Sequence, residues 1–553
     1  MQTYLNSGCF SFYVEKFFNT ACKFQNVKVS TLRFQVQILL SGRKKYDMAI
    51  LGGVIKKAID INGFISSDPE PGKAQRKVLL ALLKKAKLTA FGLKYKFGEI
   101  LESEDPVKAF RENVPVCDYD QMNKEWWHFL LQGHQNVTWP GGQDYFALSS
   151  GTTSNKKYIP VTPDMIKAIK KSGMQQVASL TNFNLPADFF EKDILMLGSS
   201  TSLIKAEDHE EGEISGISAA NIPSWFTNFY KPGGEIASIV DWDEKVRRIA
   251  EEAPKWDVGS ISGIPSWVEL MLKEIISHNK LQTIHDVWPN LQVYTSGGVA
   301  FEPYRVSIEK LLARPLVYID TYLASEGYLA TQKRPDTDAM ALIIDNGIYF
   351  EFVPFDDENI DEEGRVKRGA PVLTLEEVEE NKDYVLLIST VAGAWRYMIG
   401  DTVIITDKKR AEIRISGRTK HYLNVVGEQL SIQKMNSAIQ KLEHAFDMEI
   451  KEFTASTVLE NEEYILKFVL GTDQETDSQK AAQIIDEELC NNNKNYKVAR
   501  TKALKGLAVE AVPLEQFYNW SKEYKKLGGQ AKIPRVMKAD AFEEFRAYLR
   551  QLS

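Results

Sequence analysis

Ser149-Ser150-Gly151-Thr152-Thr153-Ser154-Asn155-Lys156-Lys157 is a stretch built to grip a polyphosphate. Its hydroxyls offer donors, its glycine lets the backbone approach closely, and backbone N–H groups turned inward in such a loop form an anion-binding concavity. Two lysines close the run with positive charge. A P-loop would need Gly-x-x-x-x-Gly-Lys-Ser/Thr running directly into a helix, so that the helix N-terminus faces the phosphates. Counted from Gly151, Lys156 stands where the second glycine belongs and Tyr158 replaces the Ser/Thr. Tyr158-Ile159-Pro160-Val161 reads as extended chain, because proline lacks a donor and restricts its predecessor. Thr162 is a good N-cap, Pro163 fits the first helical position, and Met165, Ile166 and Ile169 continue one apolar face. From Tyr145 the order is therefore strand, hydroxyl-rich loop, strand, helix, which excludes the P-loop arrangement. Taken alone, the loop also reads as an ordinary Ser/Thr-rich hairpin turn.

Four clusters follow it: Thr295-Ser296-Gly297-Gly298-Val299-Ala300, Thr321-Tyr322-Leu323-Ala324-Ser325-Glu326-Gly327, Trp395-Arg396-Tyr397-Met398-Ile399-Gly400-Asp401, and Gly417-Arg418-Thr419-Lys420. In this order and spacing the clusters resemble those of the adenylate-forming enzymes, and within them most closely the Gretchen Hagen 3 acyl acid amido synthetases. The resemblance runs from about Met48 to the C-terminus.

The clusters also make physical sense on their own. A bound nucleotide needs donors for its phosphates, a flat slot for its base and an acceptor for its ribose hydroxyls, for which a carboxylate is the usual partner. Asp401, after Ile399-Gly400 and before the apolar run from Val403 to Ile405, is expected at a strand end or tight turn, with a turn aspartate as the competing reading. The resemblance assigns it to the ribose. Ser296, Gly297 and Gly298 end an apolar run, so the glycines let backbone approach the adenine, unless they are a plain strand-terminating turn. Tyr322 is expected to supply an aromatic face near the base or acyl group, Thr321 belongs to the expected nucleotide-binding residues, and Glu326 is a hard oxygen ligand of the kind magnesium shares with phosphates. The resemblance places Ser325 and Glu326 at the nucleotide and metal site, Glu326 as the metal ligand. With Ser149, Ser150, Gly151, Thr152, Thr153, Asp401 and Arg418, these form the expected nucleotide-binding set.

The expected catalytic cations are Lys157, Arg418 and Lys532. By the resemblance, Gly417-Arg418 is a hinge on which a small C-terminal domain turns. Glycine beside a cation suits that role, since a hinge needs soft dihedrals and a triphosphate needs charge; a β-turn with a solvated arginine is the alternative. Lys532, in Gly528-Gly529-Gln530-Ala531-Lys532-Ile533-Pro534-Arg535, reaches the reacting carboxylate by analogy, with a charged surface loop as the other reading. Two departures stand out. The phosphate loop is one residue shorter than in the family, which leaves Lys156 and Lys157 both open for the phosphate role. Gln429, in Val426-Gly427-Glu428-Gln429, replaces a phosphate-contacting lysine of plant members, a role that either passes to Lys420 or Lys532 or is absent.

At 553 residues, 44% hydrophobic and 26% charged, the composition is that of a globular enzyme with a large domain and at least one smaller one. A net charge of −7 argues against a nucleic-acid partner. Cys9, Cys22, Cys117 and Cys490 lack metal or redox spacing and point to a reducing, cytoplasmic setting. The histidines form no metal pair, and no Gly-x-Ser-x-Gly elbow is present. Residues 1–47 do not match the rest, carry neither a signal-peptide layout nor a membrane-length apolar run, and read as a doubtful extension before a start at Met48, with a genuine flexible arm as the alternative.

The expected fold is α/β, layered sheets and helices, which the resemblance divides into a large N-terminal domain, residues 48–416, and a small mobile α+β C-terminal domain, residues 417–553. Helices are expected over Pro71–Lys87, Asp164–Leu180, Asp241–Ala253 and Pro265–His278. Strands are expected over Ile194–Gly198, Leu291–Tyr294, Pro315–Ile319, Ala341–Ile344, Ile348–Val353 and Tyr384–Ser389. The implied activity is ATP- and Mg2+-dependent adenylation of a small carboxylic acid, then acyl transfer to an amine, most plausibly an amino acid, releasing AMP and pyrophosphate. Rival readings are an acyl-CoA ligase with a thiol acceptor, and an inactive nucleotide-binding homologue. No membrane partner is expected.

Overall fold

The computed structural model describes residues 70–552, except 151–155, 223–225, 299–300, 357, 362, 420–421, 426–427, 461–462, 493–495, 498–499, 501–503, 526–532 and 538. The expected extension 1–47, most of the phosphate loop, Lys420 and Lys532 lie outside the described residues.

The strands Tyr145–Ser150 and Lys156–Val161 form the expected antiparallel hairpin, with Ser149 opposite Lys157 and Phe146 opposite Pro160. Lys156–Val161 is the edge of a four-stranded sheet, where a proline costs no ladder bond. Thr162 then caps the Pro163–Ser179 helix, its Oγ1 accepting from the Met165 N–H at 3.0 Å. The same hydroxyl donates to the Val391 carbonyl at 2.7 Å, so the cap also ties this helix to the large sheet's far loops. The Pro71–Ala86 helix opens on proline and buries Val78, Leu79, Leu82, Leu83 and Ala86 at helical spacing.

The large sheet has eleven strands. In spatial order they are Ile348–Pro354, Asp383–Thr390, Tyr397–Asp407, Glu412–Arg418, Met340–Leu342, Gly327–Thr331, Val317–Ala324, Val293–Gly297, Val258–Gly263, Asp193–Leu197 and Tyr230–Lys231. From Val317–Ala324 to Tyr230–Lys231 neighbours run parallel, and from Val317–Ala324 to Ile348–Pro354 they run antiparallel. The parallel half carries the helices Trp242–Glu252 and Pro265–Asn279, as α/β layering requires. Two strands at the centre of the sheet run further than local pattern suggested. Val317–Ala324 runs on through Tyr322, and Tyr397–Asp407 takes in Asp401, because pairing in the sheet overrides polar residues that alone read as turn.

After Leu430 the chain builds a three-stranded sheet, Glu452–Glu460, Glu463–Gly471 and Leu504–Val512, covered by the helices Ile432–Phe446, Ser478–Asn492, Leu514–Lys525 and Ala539–Leu552. Its apolar clusters, around Leu442, Phe453 and Leu466 and around Phe517 and Phe545, hold only residues from this part. No described helix is long and apolar enough to cross a membrane.

Candidate active site

Val317–Ala324 and Gly327–Thr331 are joined by a two-residue turn, Ser325-Glu326, with Gly327 opposite Ala324. A turn carboxylate is normally solvated, yet Glu326 is only 8% exposed. Burial pushes its carboxyl up to about 7, with the charge of Asp401 adding and those of Lys157 and Arg418 opposing. Four of the expected residues therefore share one electrostatic neighbourhood. The buried Tyr397 hydroxyl lies near the Glu326 carboxyl, whose charge, after burial, helps to hold it protonated.

Asp401 is not at a strand end. It lies inside Tyr397–Asp407, directly after Gly400, whose φ of +93° only glycine adopts without strain, and the strand's register shifts just beyond it. That bulge turns the buried carboxylate toward the turn at Glu326. The Tyr322 hydroxyl donates to Asp401 Oδ2, and Arg418 Nε pairs with Oδ1 at 2.7 Å. A carboxylate has about four lone-pair sites, so each oxygen keeps room for one ribose hydroxyl.

Gly417 and Arg418 end the Glu412–Arg418 strand, opposite Thr402 and Asp401, and Thr419 N–H donates to the Gly400 carbonyl at 2.8 Å. Both residues are held in the ladder here, so the freedom expected of a hinge would begin beyond Thr419.

Lys157 lies with its Nζ 5.0 Å from the centre of the Tyr119 ring, and the Tyr119 hydroxyl accepts from the Tyr158 N–H at 2.9 Å. Tyr119 thus seats the second strand of the phosphate-loop hairpin. Ser149 is half-buried and Ser150 pairs with Lys156, while Gly151, Thr152 and Thr153 lie outside the described residues. Ser296 and Gly297 end a parallel strand, Thr321 sits opposite Gly297, and its Oγ1 donates to the Ser296 carbonyl at 2.9 Å. A Cβ on Gly297 would stand 2.8 Å from that Oγ1, so glycine is needed for this close approach. Gly298 follows with φ +85°.

Arg396, in the same cluster as Asp401, does not face this site. It is 3% exposed, its Nε pairs with Glu351 at 3.0 Å, and its Nη1 donates to the carbonyls of Arg111 and Val114 at 2.8 and 2.6 Å. It satisfies carbonyls at the C-terminal end of the Pro106–Asn113 helix. Trp395 is also structural, packing with Phe91, Phe97 and Phe110.

Sequence reading missed Tyr119, Tyr397 and Asp320. Asp320 neighbours Thr321 in an expected cluster, and burial pushes its carboxyl up to about 6. Tyr397 stood inside the quoted Trp395 to Asp401 cluster without an assigned role, and Tyr119 carries no motif that separates a site residue from core. Among the described residues no group of three or more His, Cys, Asp or Glu side chains could hold a metal ion. Magnesium keeps several waters and shares phosphate oxygens, so a single buried carboxylate, Glu326, fits the part a protein need supply.

Models of three domains of one family match the chain: the GH3 family N-terminal domain over residues 61–209, the central domain over 341–418 and the C-terminal domain over 433–541. Two indole-3-acetic acid-amido synthetases of Arabidopsis thaliana are similar. GH3.4 is 24% identical over 329 residues, 56% of this chain and 53% of that protein, and GH3.2 is 26% identical over 374 residues, 63% and 66%. The chain thus spans about half to two-thirds of these relatives' length. Among solved structures, the GH3.15 acyl acid amido synthetase superposes with a TM-score of 0.72 at 15% identity, covering 87% of this chain and 93% of that one. A 2-hydroxyisobutyryl-CoA ligase in the postadenylation state gives 0.53 at 15% identity, covering 87% and 91%. Both likenesses are of fold.

Proposed function

The chain belongs to the GH3 family, and from that premise we propose that it is an ATP-dependent acyl acid amido synthetase. The observation that carries the reading is the convergence of Tyr322, Glu326, Asp401 and Arg418, near the carboxyl ends of the parallel strands, with Lys157 of the hairpin strand Lys156–Val161. Open α/β sheets bind ligands outside the carboxyl ends of such strands.

In the first half-reaction an oxygen of the substrate carboxylate attacks the α-phosphorus of ATP, the bond to the β-phosphate bridging oxygen breaks, and pyrophosphate leaves. Asp401 accepts from the ribose hydroxyls and Tyr322 borders the base. Arg418 and Lys157 oppose charge developing on the phosphates, which is worth most in a site shielded from water. Mg2+ supplies Lewis-acid charge on the phosphate oxygens, and Glu326 is the residue that would hold it. In the second half-reaction an amine nitrogen attacks the acyl carbon, the bond to AMP breaks, and the nitrogen loses a proton as the amide forms. Lys532 and a turn of residues 417–553 relative to 48–416 belong to this reading, as does a cytoplasmic setting. The buried Cys117 thiol, pushed up to about 12, suits a protein without thiol chemistry at that position.

A small carboxylic acid and an amino acid are the substrates of this reading. Incubation with ATP, Mg2+ and a mixed pool of carboxylic and amino acids should give AMP and at least one amide by mass spectrometry. Formation of a thioester when CoA is added, with no amide from any amino acid, would favour a ligase of the CoA type instead.

A further inference from the structure

We propose that two buried carboxylates, Glu269 and Glu452, form a polar latch holding the C-terminal sheet against the helices Pro265–Asn279 and Glu302–Glu309. The latch opens between the two half-reactions, a role that rests on the function proposed above. Glu269 projects from the first of these helices and is 3% exposed. Its Oε1 accepts from Lys273 and from Lys451, each at 2.6 Å, and its Oε2 accepts from Ser307 Oγ at 2.9 Å. Glu452, at the start of the C-terminal sheet, accepts from the Tyr304 hydroxyl at 2.5 Å and pairs with Arg535 at 2.8 Å. Arg535 also donates to the carbonyls of Lys451 and Phe453, at 3.0 and 3.3 Å, and lies over the Phe453 ring.

Three features mark this contact as made to open. No buried apolar cluster among the described residues mixes side chains from before Arg418 with side chains from after Leu430, so no shared core welds the two parts. Buried ion pairs add less stability than apolar packing of the same volume, but they define one geometry sharply, since a displaced partner leaves a buried charge unmatched. Finally, each carboxylate keeps partners in its own part when the crossing bond is cut. Glu269 retains Lys273 and Ser307, and Glu452 retains Arg535. Separation therefore strands neither charge completely, and Lys451 is left to reach water.

The test uses the outer rim of the same contact, where exposed Lys522 and Asp243 approach to 3.3 Å. In a D243C/K522C parent, a short bismaleimide should join residues 243 and 522, read as the cross-linked peptide by mass spectrometry. Adding Y304F and K451M removes the two bonds that cross and, with Lys451, its looser pair with Glu449 at 3.9 Å inside the C-terminal part. The latch predicts that cross-link yield falls about fivefold while the unfolding midpoint barely moves, and that the ratio of amide formation to pyrophosphate exchange shifts by a similar factor. The swap E269K/K451E, which reverses the crossing pair, should recover part of the yield. An unchanged yield, or one that falls only in step with loss of folded protein, overturns the latch. If the yield falls as expected but the parent exchanges pyrophosphate with no acid, the latch stands and the functional reading fails.

Discussion

Asp401 and Arg396 are five residues apart in one motif and do opposite work. Arg396 → Met leaves the Glu351 carboxylate buried without its partner and frees two helix-end carbonyls, a loss expected to be about 3–5 kcal/mol by chemical denaturation. The KM for ATP of the remaining folded enzyme should not change. Asp401→Asn weakens two hydrogen bonds that involve charge, and with them the ribose contact. Its KM for ATP should rise by about ten- to a hundredfold, corresponding to about 1.5–3 kcal/mol, with little loss of stability. Equal effects on stability and KM from both substitutions would contradict this division. Glu326 makes a pH prediction. Its carboxyl is raised to about 7, so in the magnesium-free enzyme the proton is favoured below that pH and the buried charge becomes a cost above the ordinary carboxyl range. Apparent Mg2+ affinity should be flat above about pH 7 and weaken by about tenfold per pH unit below it, and Glu326→Gln should abolish that slope. At this scale the residue types of the site were legible, but their directions were not. Nothing in Trp-Arg-Tyr says that the arginine turns inward while the tyrosine meets Glu326, because both outcomes depend on the Pro106–Asn113 helix and the turn at Ser325, far away in the chain.

At the scale of elements, cap chemistry and periodicity were the reliable signals. Thr162 and Pro163 start a helix where their chemistry requires, and Thr162→Ala should cost about 1 kcal/mol in thermal or denaturant unfolding. What local pattern could not show was pairing. Gly400-Asp401 reads as a turn, yet the neighbouring strands Asp383–Thr390 and Glu412–Arg418 hold it inside a strand and leave glycine to absorb the bulge. Gly400→Ala meets no atom closer than 3.8 Å, so its cost is backbone strain alone, about 1–2 kcal/mol. Because the strain falls next to Asp401, the carboxylate proposed to hold the ribose, ATP binding should weaken with it. An alanine variant with unaltered stability and KM would show that the bulge does not aim Asp401.

For the whole molecule, alternating helices and apolar strands announced α/β layering, and the separate C-terminal α+β part was expected from the family resemblance. The order of the large sheet was not accessible that way. Met340–Leu342 lies between Gly327–Thr331 and Glu412–Arg418, a placement that brings Arg418 and Asp401 to the turn carrying Glu326 through contacts across some 90 residues of sequence. Among the described residues the same assembly leaves polar contacts rather than a shared apolar core between the two parts, as the proposed turn between half-reactions requires. The central claim is that this assembly adenylates a carboxylic acid. Its most direct test is acid-dependent exchange of labelled pyrophosphate into ATP by the purified chain with Mg2+, across a panel of carboxylic acids. The account predicts exchange with at least one acid, lost in the Asp401→Asn variant at ATP concentrations near the wild-type KM and partly recovered at much higher ATP. Folded, ATP-binding protein that exchanges pyrophosphate with no acid would contradict it.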